Sequence, residues 1–255
     1  MPTVLEGKQI CKTYDIEAGS KIDVLKNVDM KIEEGEFVAV MGQSGSGKST
    51  LLYCISGMDA ISSGEVFFKG KNIEKLPEKE ISRMRLTGMG FIFQHSYLLK
   101  TMSIKDNIIL PGIKAAKKSK SQVIHDAEEY MEQLGISHIS GNDITKVSGG
   151  QLQRAAICRA LINEPDIILG DEPTGALNSS TTLDVMNILN DINRKGVAVL
   201  LVTHDAKVAA RADRVIYLAD GEVCDECILG KYKQEEEDTD KREEVLLTWL
   251  RERGF

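Results

Sequence analysis

Three nearly continuous apolar runs punctuate the chain: FVAVMG at 37–42, DIILGDE at 166–172 and VAVLLVTH at 197–204. Each is short and rich in β-branched residues, as strands covered on both faces of a parallel sheet are. A helical pattern follows each one. Nearer the start the rhythm changes, and Val28, Met30 and Ile32 alternate with Asp29, Lys31 and Glu33. That period of two predicts a half-buried antiparallel strand, and GEVFFKG at 64–70 predicts another. Between Gln94 and Pro165 no strand pattern occurs. Val123, Ile124, Ala127, Tyr130, Met131 and Leu134 recur at helical spacing, with Gly135 closing the pattern, and a second helix is expected over 148–163. The expected fold class is α/β: a parallel-sheet core, a small antiparallel sheet near the N-terminus, and a helical insert over 95–164. Ligands then belong at the C-terminal ends of the parallel strands. After Val223 the composition shifts to KYKQEEEDTDKREE, a charged linker, and then to VLLTWL, a short amphipathic stripe holding Trp249. The expected division is a main domain over 1–223 and a tail over 224–255.

Composition narrows this picture only at its edges. With 255 residues, 42% hydrophobic and 28% charged, the chain can bury one large core. A net charge of −7 argues against a broad nucleic-acid surface. The opening MPTVLEGKQICKTY has no apolar secretory core, and no stretch approaches the roughly 18 apolar residues of a membrane span. The expectation is a cytoplasmic protein whose membrane part, if it serves one, is another polypeptide. The pair Cys224 and Cys227 lacks the second Cys/His pair of a zinc site and reads as two reduced thiols on a turn.

The chemistry lies in the loops. GQSGSGKS, from Gly42 through Gln43, Ser44, Gly45, Ser46, Gly47 and Lys48 to Ser49, fits the pattern of a phosphate-binding loop. It follows an apolar strand and leads into a helical pattern beginning at Thr50, the context that the motif requires. Backbone N–H groups would cradle phosphates, Lys48 would reach the β and γ groups, and the Ser49 hydroxyl would bind Mg²⁺. Asp171 ends a buried strand and can hold Mg²⁺ through water; Glu172, next to it, can polarise an attacking water. Tyr14 suits stacking on a base or packing in a core. Gln94, closing GFIFQ, either completes a Mg²⁺ shell or simply ends a strand. His204 ends VLLVTH, where a γ-phosphate contact or a structural role is open. A second anion-binding turn, Ser148, Gly149, Gly150 and Gln151, opens the helix KVSGGQLQRAAICRAL.

In this order, the phosphate loop, FQ, VSGGQ, ILGDEPTG and THD resemble an ATP-binding-cassette ATPase over about residues 3–223. The resemblance implies a RecA-like P-loop fold with a helical signature subdomain, and ATP and Mg²⁺ as ligands. It matches Tyr14 to the adenine-stacking aromatic, Gln94 to the lid-loop glutamine that joins the Mg²⁺ shell, and Asp171 to the metal-binding acid. Glu172 and His204 match the catalytic base and switch histidine, and Ser148–Gln151 match the signature, which faces the ATP of a second copy in a head-to-tail dimer. It thus explains two phosphate-binding turns in one chain. Two positions depart from the pattern: Val147 stands for the usual leucine, and Asn178 for the usual Asp. GMGFIFQHSYLLKTMSIKDNIILP and GDEPTGALNSSTTLDVMNILNDI are similar to the group serving macrolide export, lipoprotein release and antimicrobial-peptide resistance. That group implies a permease, on a separate chain or fused to the ATPase. With no span in this sequence the expectation is a separate permease, attachment to the cytoplasmic face of the membrane through it, and contacts at Tyr97, Leu98 and Leu99. The alternative, a soluble cassette working on DNA or ribosomes, expects a coiled-coil insertion or paired cassettes and a basic surface. None of these is written in this sequence.

Overall fold

A computed structural model describes residues 2–15, 20–233 and 236–254. The chain opens with two long antiparallel strands, β1 (Thr3–Asp15) and β2 (Lys21–Glu33), then the buried β3 (Phe37–Met41) and helix α1 (Lys48–Ile55). Next come β4 (Ser63–Phe68), the short β5 (Lys71–Asn72), α2 (Glu78–Gly88) and β6 (Met89–Phe93). The segment expected to be helical holds α3 (Ile104–Ala115), α4 (Lys120–Gln133) and α5 (Gly149–Leu161), with short 3-10 turns between α4 and α5. The chain returns through β7 (Ile167–Asp171), α6 (Ser179–Arg194), β8 (Ala198–Val202), the four-residue α7 (Ala206–Ala209), β9 (Arg214–Ala219) and β10 (Glu222–Ile228), and closes on α8 (Glu236–Arg251).

Among the described residues the strands form two sheets, ordered β2-β1-β4-β5 and β10-β9-β3-β8-β7-β6. The first is antiparallel. In the second, β9, β3, β8, β7 and β6 run parallel and only the edge strand β10 is antiparallel. Alternate residues of β3 face different cores. Val38 and Val40 join α1 and the antiparallel sheet, whereas Phe37, Ala39 and Met41 join α3–α8. The apolar runs are buried on both faces, as parallel strands under helices must be.

The tail departs from expectation. β10 carries the sheet past Val223, so the composition boundary falls inside a strand, and Cys224 and Cys227 lie on that strand rather than on a turn. Their spacing of three points them to opposite faces: Cys224 is exposed and Cys227 buried. Gln234, Glu235 and Phe255 of the expected tail lie outside the described residues. Helix α8 is docked on the main core, with Leu246 and Leu250 buried and Trp249 edge-on to Tyr217. Arg242, also buried, donates to the carbonyls of Ala210, Ala212, Leu229 and Gly230. At its far end the Gln43 amide donates to the Gly254 carbonyl at 3.2 Å.

Candidate active site

The phosphate loop is shaped by glycine and by an uncapped helix. Gly47 has φ +99°, and a Cβ there would meet the Val24 carbonyl oxygen at 2.8 Å, so neither the backbone conformation nor the space admits a side chain. No side chain caps the N-terminus of α1. Its first N–H groups, without helical partners, are the donors that suit a phosphate. Lys48 is 8% exposed, and its Nζ donates to the carbonyls of Gly42 at 2.9 Å and Gln43 at 2.8 Å. Burial lowers its pKa, and the charges of Glu172 and Asp171 oppose that shift.

Opposite the loop, the ends of β7 and β8 bring the acids into place. The Ser49 hydroxyl donates to Asp171 Oδ1 at 2.7 Å, and the Tyr53 hydroxyl to Oδ2 at 2.6 Å. Glu172 follows in a left-handed backbone conformation, φ +48°, with its N–H bonded to the Val202 carbonyl. Its Oε1 lies 2.9 Å from His204 Nδ1. Val24, Ser44, Gly45, Gly47–Thr50, Glu172 and His204 line one cavity of about 640 Å³, a size that suits a nucleotide. Larger clefts of about 830 and 780 Å³ contain no residue of the phosphate loop or of the Asp171–Glu172 pair. The Ser49 hydroxyl and Asp171 carboxylate are hard oxygen donors that fit Mg²⁺. Among the described residues no three His, Cys, Asp or Glu side chains converge on a metal site, so the remaining ligands of such an ion would be phosphate oxygens and water.

The other expected residues surround this centre at different removes. Gln94 lies beside Glu172: a Cβ built on Gly175 would come 3.0 Å from Gln94 Nε2 and 3.2 Å from Glu172 Oε2. Tyr14 is 39% exposed, and its hydroxyl donates to Asp59 Oδ2 at 2.6 Å. Asp59 Oδ1 accepts from the buried Lys12 at 2.8 Å, and the Lys12 ammonium sits 4.6 Å from the Tyr14 ring centroid. Burial and then Asp59 push the Tyr14 phenol up to about 12. Ser148 and Gln151 are absent from the lining of the cavity. They cap α5 instead, the Ser148 side chain accepting from the Gln151 N–H and the Gln151 side chain from the Ser148 N–H. Asn178 caps α6, its Oδ1 accepting from the Thr181 N–H at 2.9 Å, a role that Asn fills as well as Asp.

Tyr53, Lys12, Asp59 and Arg159 escaped sequence reasoning. Arg159 on α5 donates to the carbonyls of Ser96 and Tyr97 and so holds the loop after Gln94. Of the expected permease contacts, Tyr97 and Leu99 are exposed, but Leu98 is buried and unavailable to a partner.

Residues 25–175 match the family described as ABC transporter. The chain belongs to that family. The cassette is 40% identical over 221 residues to the bacitracin export ATP-binding protein BceA of Halalkalibacterium halodurans, covering 86% of this chain and 87% of that protein. It is 42% identical over 251 residues to the macrolide export ATP-binding/permease protein MacB of Campylobacter jejuni, covering 97% of this chain. The cassette spans only 38% of the length of that relative. A dimeric ATP-binding cassette in a post-hydrolysis state, bound to ADP and Pi, superimposes with a TM-score of 0.83 at 38% identity over 89% of this chain and all of that one. The cassette thus has the α/β P-loop fold of that family.

Proposed function

We propose that the cassette hydrolyses ATP at two sites shared between two copies and thereby drives a membrane permease carried on a separate chain. The observation that carries this reading is the split of the phosphate-binding features. The phosphate loop, Glu172 and His204 line one cavity, while Ser148–Gln151 open a helix outside it. A second copy placed head to tail brings its Ser148, Gly149, Gly150 and Gln151 to the first copy's γ-phosphate. Gly149 leaves room for that approach, since a Cβ there would meet nothing nearer than Leu177 Cδ2 at 3.9 Å.

Within each site, the N–H groups of Gly42–Thr50 and the Lys48 ammonium hold the phosphates, and Tyr14 stacks on the adenine. Ser49 and Asp171 would hold Mg²⁺ with Gln94 on its shell, where the ion would supply charge neutralisation of the phosphates. Glu172 accepts a proton from the attacking water, and His204 keeps that carboxylate turned toward the cavity. The permease reading draws on the bacitracin and macrolide export relatives. It is supported by a cleft of about 370 Å³ that includes Met58, Phe91, Phe93 and Tyr97. Of its lining, Met58 and Tyr97 are exposed apolar groups, and Leu99, Leu110 and Ile113, close in sequence to the lining residues Tyr97 and Pro111, are exposed as well, fit to receive an apolar helix of a partner. The cassette then works at the cytoplasmic face of the membrane, held there by the permease, whose cargo is an amphiphilic compound or peptide.

The shared site is tested with cysteines at Ser44 and Ser148 in a chain whose five native cysteines are replaced. ATP should drive efficient crosslinking between chains. Crosslinks confined within one chain would refute the shared site.

A further inference from the structure

Ser49 and Tyr53 are one turn apart on α1 and project from the same face of the helix. Between them they occupy both oxygens of Asp171: Ser49 Oγ donates to Oδ1 at 2.7 Å and Tyr53 OH to Oδ2 at 2.6 Å. The terminal torsion of an aspartate is soft, so one hydrogen bond leaves its carboxylate plane free to turn and two fix it. Tyr53 itself is well anchored. Its ring packs against the core on the α1 side of the sheet, and its carbonyl accepts from Met58 N at 2.9 Å, Asp59 N at 3.1 Å and Ser56 Oγ at 3.0 Å. The hydroxyl is therefore presented to Asp171 from a rigid support rather than from a free side chain.

We propose that Tyr53 is a positioning residue for Mg²⁺: its hydroxyl, clamping Asp171 Oδ2 opposite Ser49, sets the plane in which the carboxylate orients the waters of the metal shell. This rests on the reading of Asp171 as the metal-binding acid. Phosphate-loop motifs specify the serine and the aspartate but not a second donor on the same helix, so this clamp belongs to the side chain at position 53. Partners that orient metal ligands are worth about ten- to a hundredfold in metal affinity. Asp171 acts through water, so the lower end applies.

The test uses the full chain carrying Glu172→Gln, which keeps ATP intact during titration. Tyr53→Phe preserves the ring and removes only the hydroxyl. ATP affinity in EDTA should be unchanged, while the Mg²⁺ concentration that half-saturates the metal-dependent gain in ATP affinity should rise about tenfold. Tyr53→Leu removes the ring too and should raise that concentration no further. An unchanged half-saturation in Tyr53→Phe would overturn the proposal, and so would a rise confined to Tyr53→Leu, which marks packing alone. Asp171→Asn separates the two layers of the argument. A large rise in Asp171→Asn beside none in Tyr53→Phe sinks the clamp only, whereas no rise in either sinks the metal reading of Asp171 as well.

Discussion

Replacing Arg242 with Met should show that α8 is part of the folded cassette. Met keeps most of the aliphatic stem and deletes the guanidinium, which donates to four carbonyls on two segments, Ala210 and Ala212 after α7, Leu229 and Gly230 after β10. Hydrogen bonds from a charged donor contribute about 1.5–3 kcal/mol each, so a plain sum is about 6–12 kcal/mol. That sum is too large, because removing the charge also removes its desolvation cost, the same burial that holds the Arg242 pKa below its ordinary value. Some of the freed carbonyls also regain water. Taking half gives about 3–6 kcal/mol, a large share of the roughly 5–15 kcal/mol that stabilises a domain. At about 2–4 °C per kcal/mol for a chain of this size, Tm should fall by about 6–24 °C. Thermal unfolding followed by circular dichroism reads the fall, and hydrogen exchange reads whether residues 236–251 open first. A Tm within about 2 °C of the parent, with exchange in α8 unchanged, would refute the anchoring argument.

Glu172→Gln should keep ATP affinity and lower phosphate release by about 10²–10⁴-fold, the range that a general base supplies, as binding titration and a phosphate-release assay will show. Lys48→Ala should weaken ATP binding itself, because the buried ammonium beside the loop carbonyls is lost; unchanged affinity in direct titration would contradict the phosphate-loop assignment. Gly150→Ala should destabilise the isolated chain by about 1–3 kcal/mol, since its Cβ would come 2.5 Å from Thr181 Cγ2, while Gly149→Ala should leave Tm unchanged. Asp59→Asn should weaken binding of ATP but not of tripolyphosphate, because the clamp on Tyr14 bears on the base alone.

The parallel strands were legible because burial on both faces writes itself as an unbroken apolar run: β3, β7 and β8 lie within the runs at 37–42, 166–172 and 197–204. The candidate phosphate loop stood out because phosphate chemistry constrains residue type and spacing together, and Ser44, Gly45 and Gly47–Thr50 share one cavity with Glu172 and His204. β1 was not, although it spans 13 residues. Its pairing with β2 is interrupted by register shifts, and Gln9 and Asn27 take positive φ, so the period of two breaks before it can be recognised. The full extent of α8 was hidden for a different reason: a charged residue, Arg242, lies on its buried side, where an amphipathic reading expects an apolar one. Tyr53 sits in the apolar stretch LLYCI, and only the fold shows that its hydroxyl reaches an acid 118 positions away. The Lys12–Asp59–Tyr14 cluster is equally silent, since nothing local relates position 12 to position 59.

The left-handed backbone at Glu172 has a consequence for engineering. A non-glycine residue at φ +48° works against its own conformational preference, at a cost of about 1–3 kcal/mol. Asn or Gly would relieve it, so a redesign scored on thermostability alone would choose this position early. Such a sequence would express well, melt late and leave the proposed base missing. Screens for hardier versions of this cassette therefore need turnover beside melting temperature, with position 172 held fixed while the rest of the sheet is optimised.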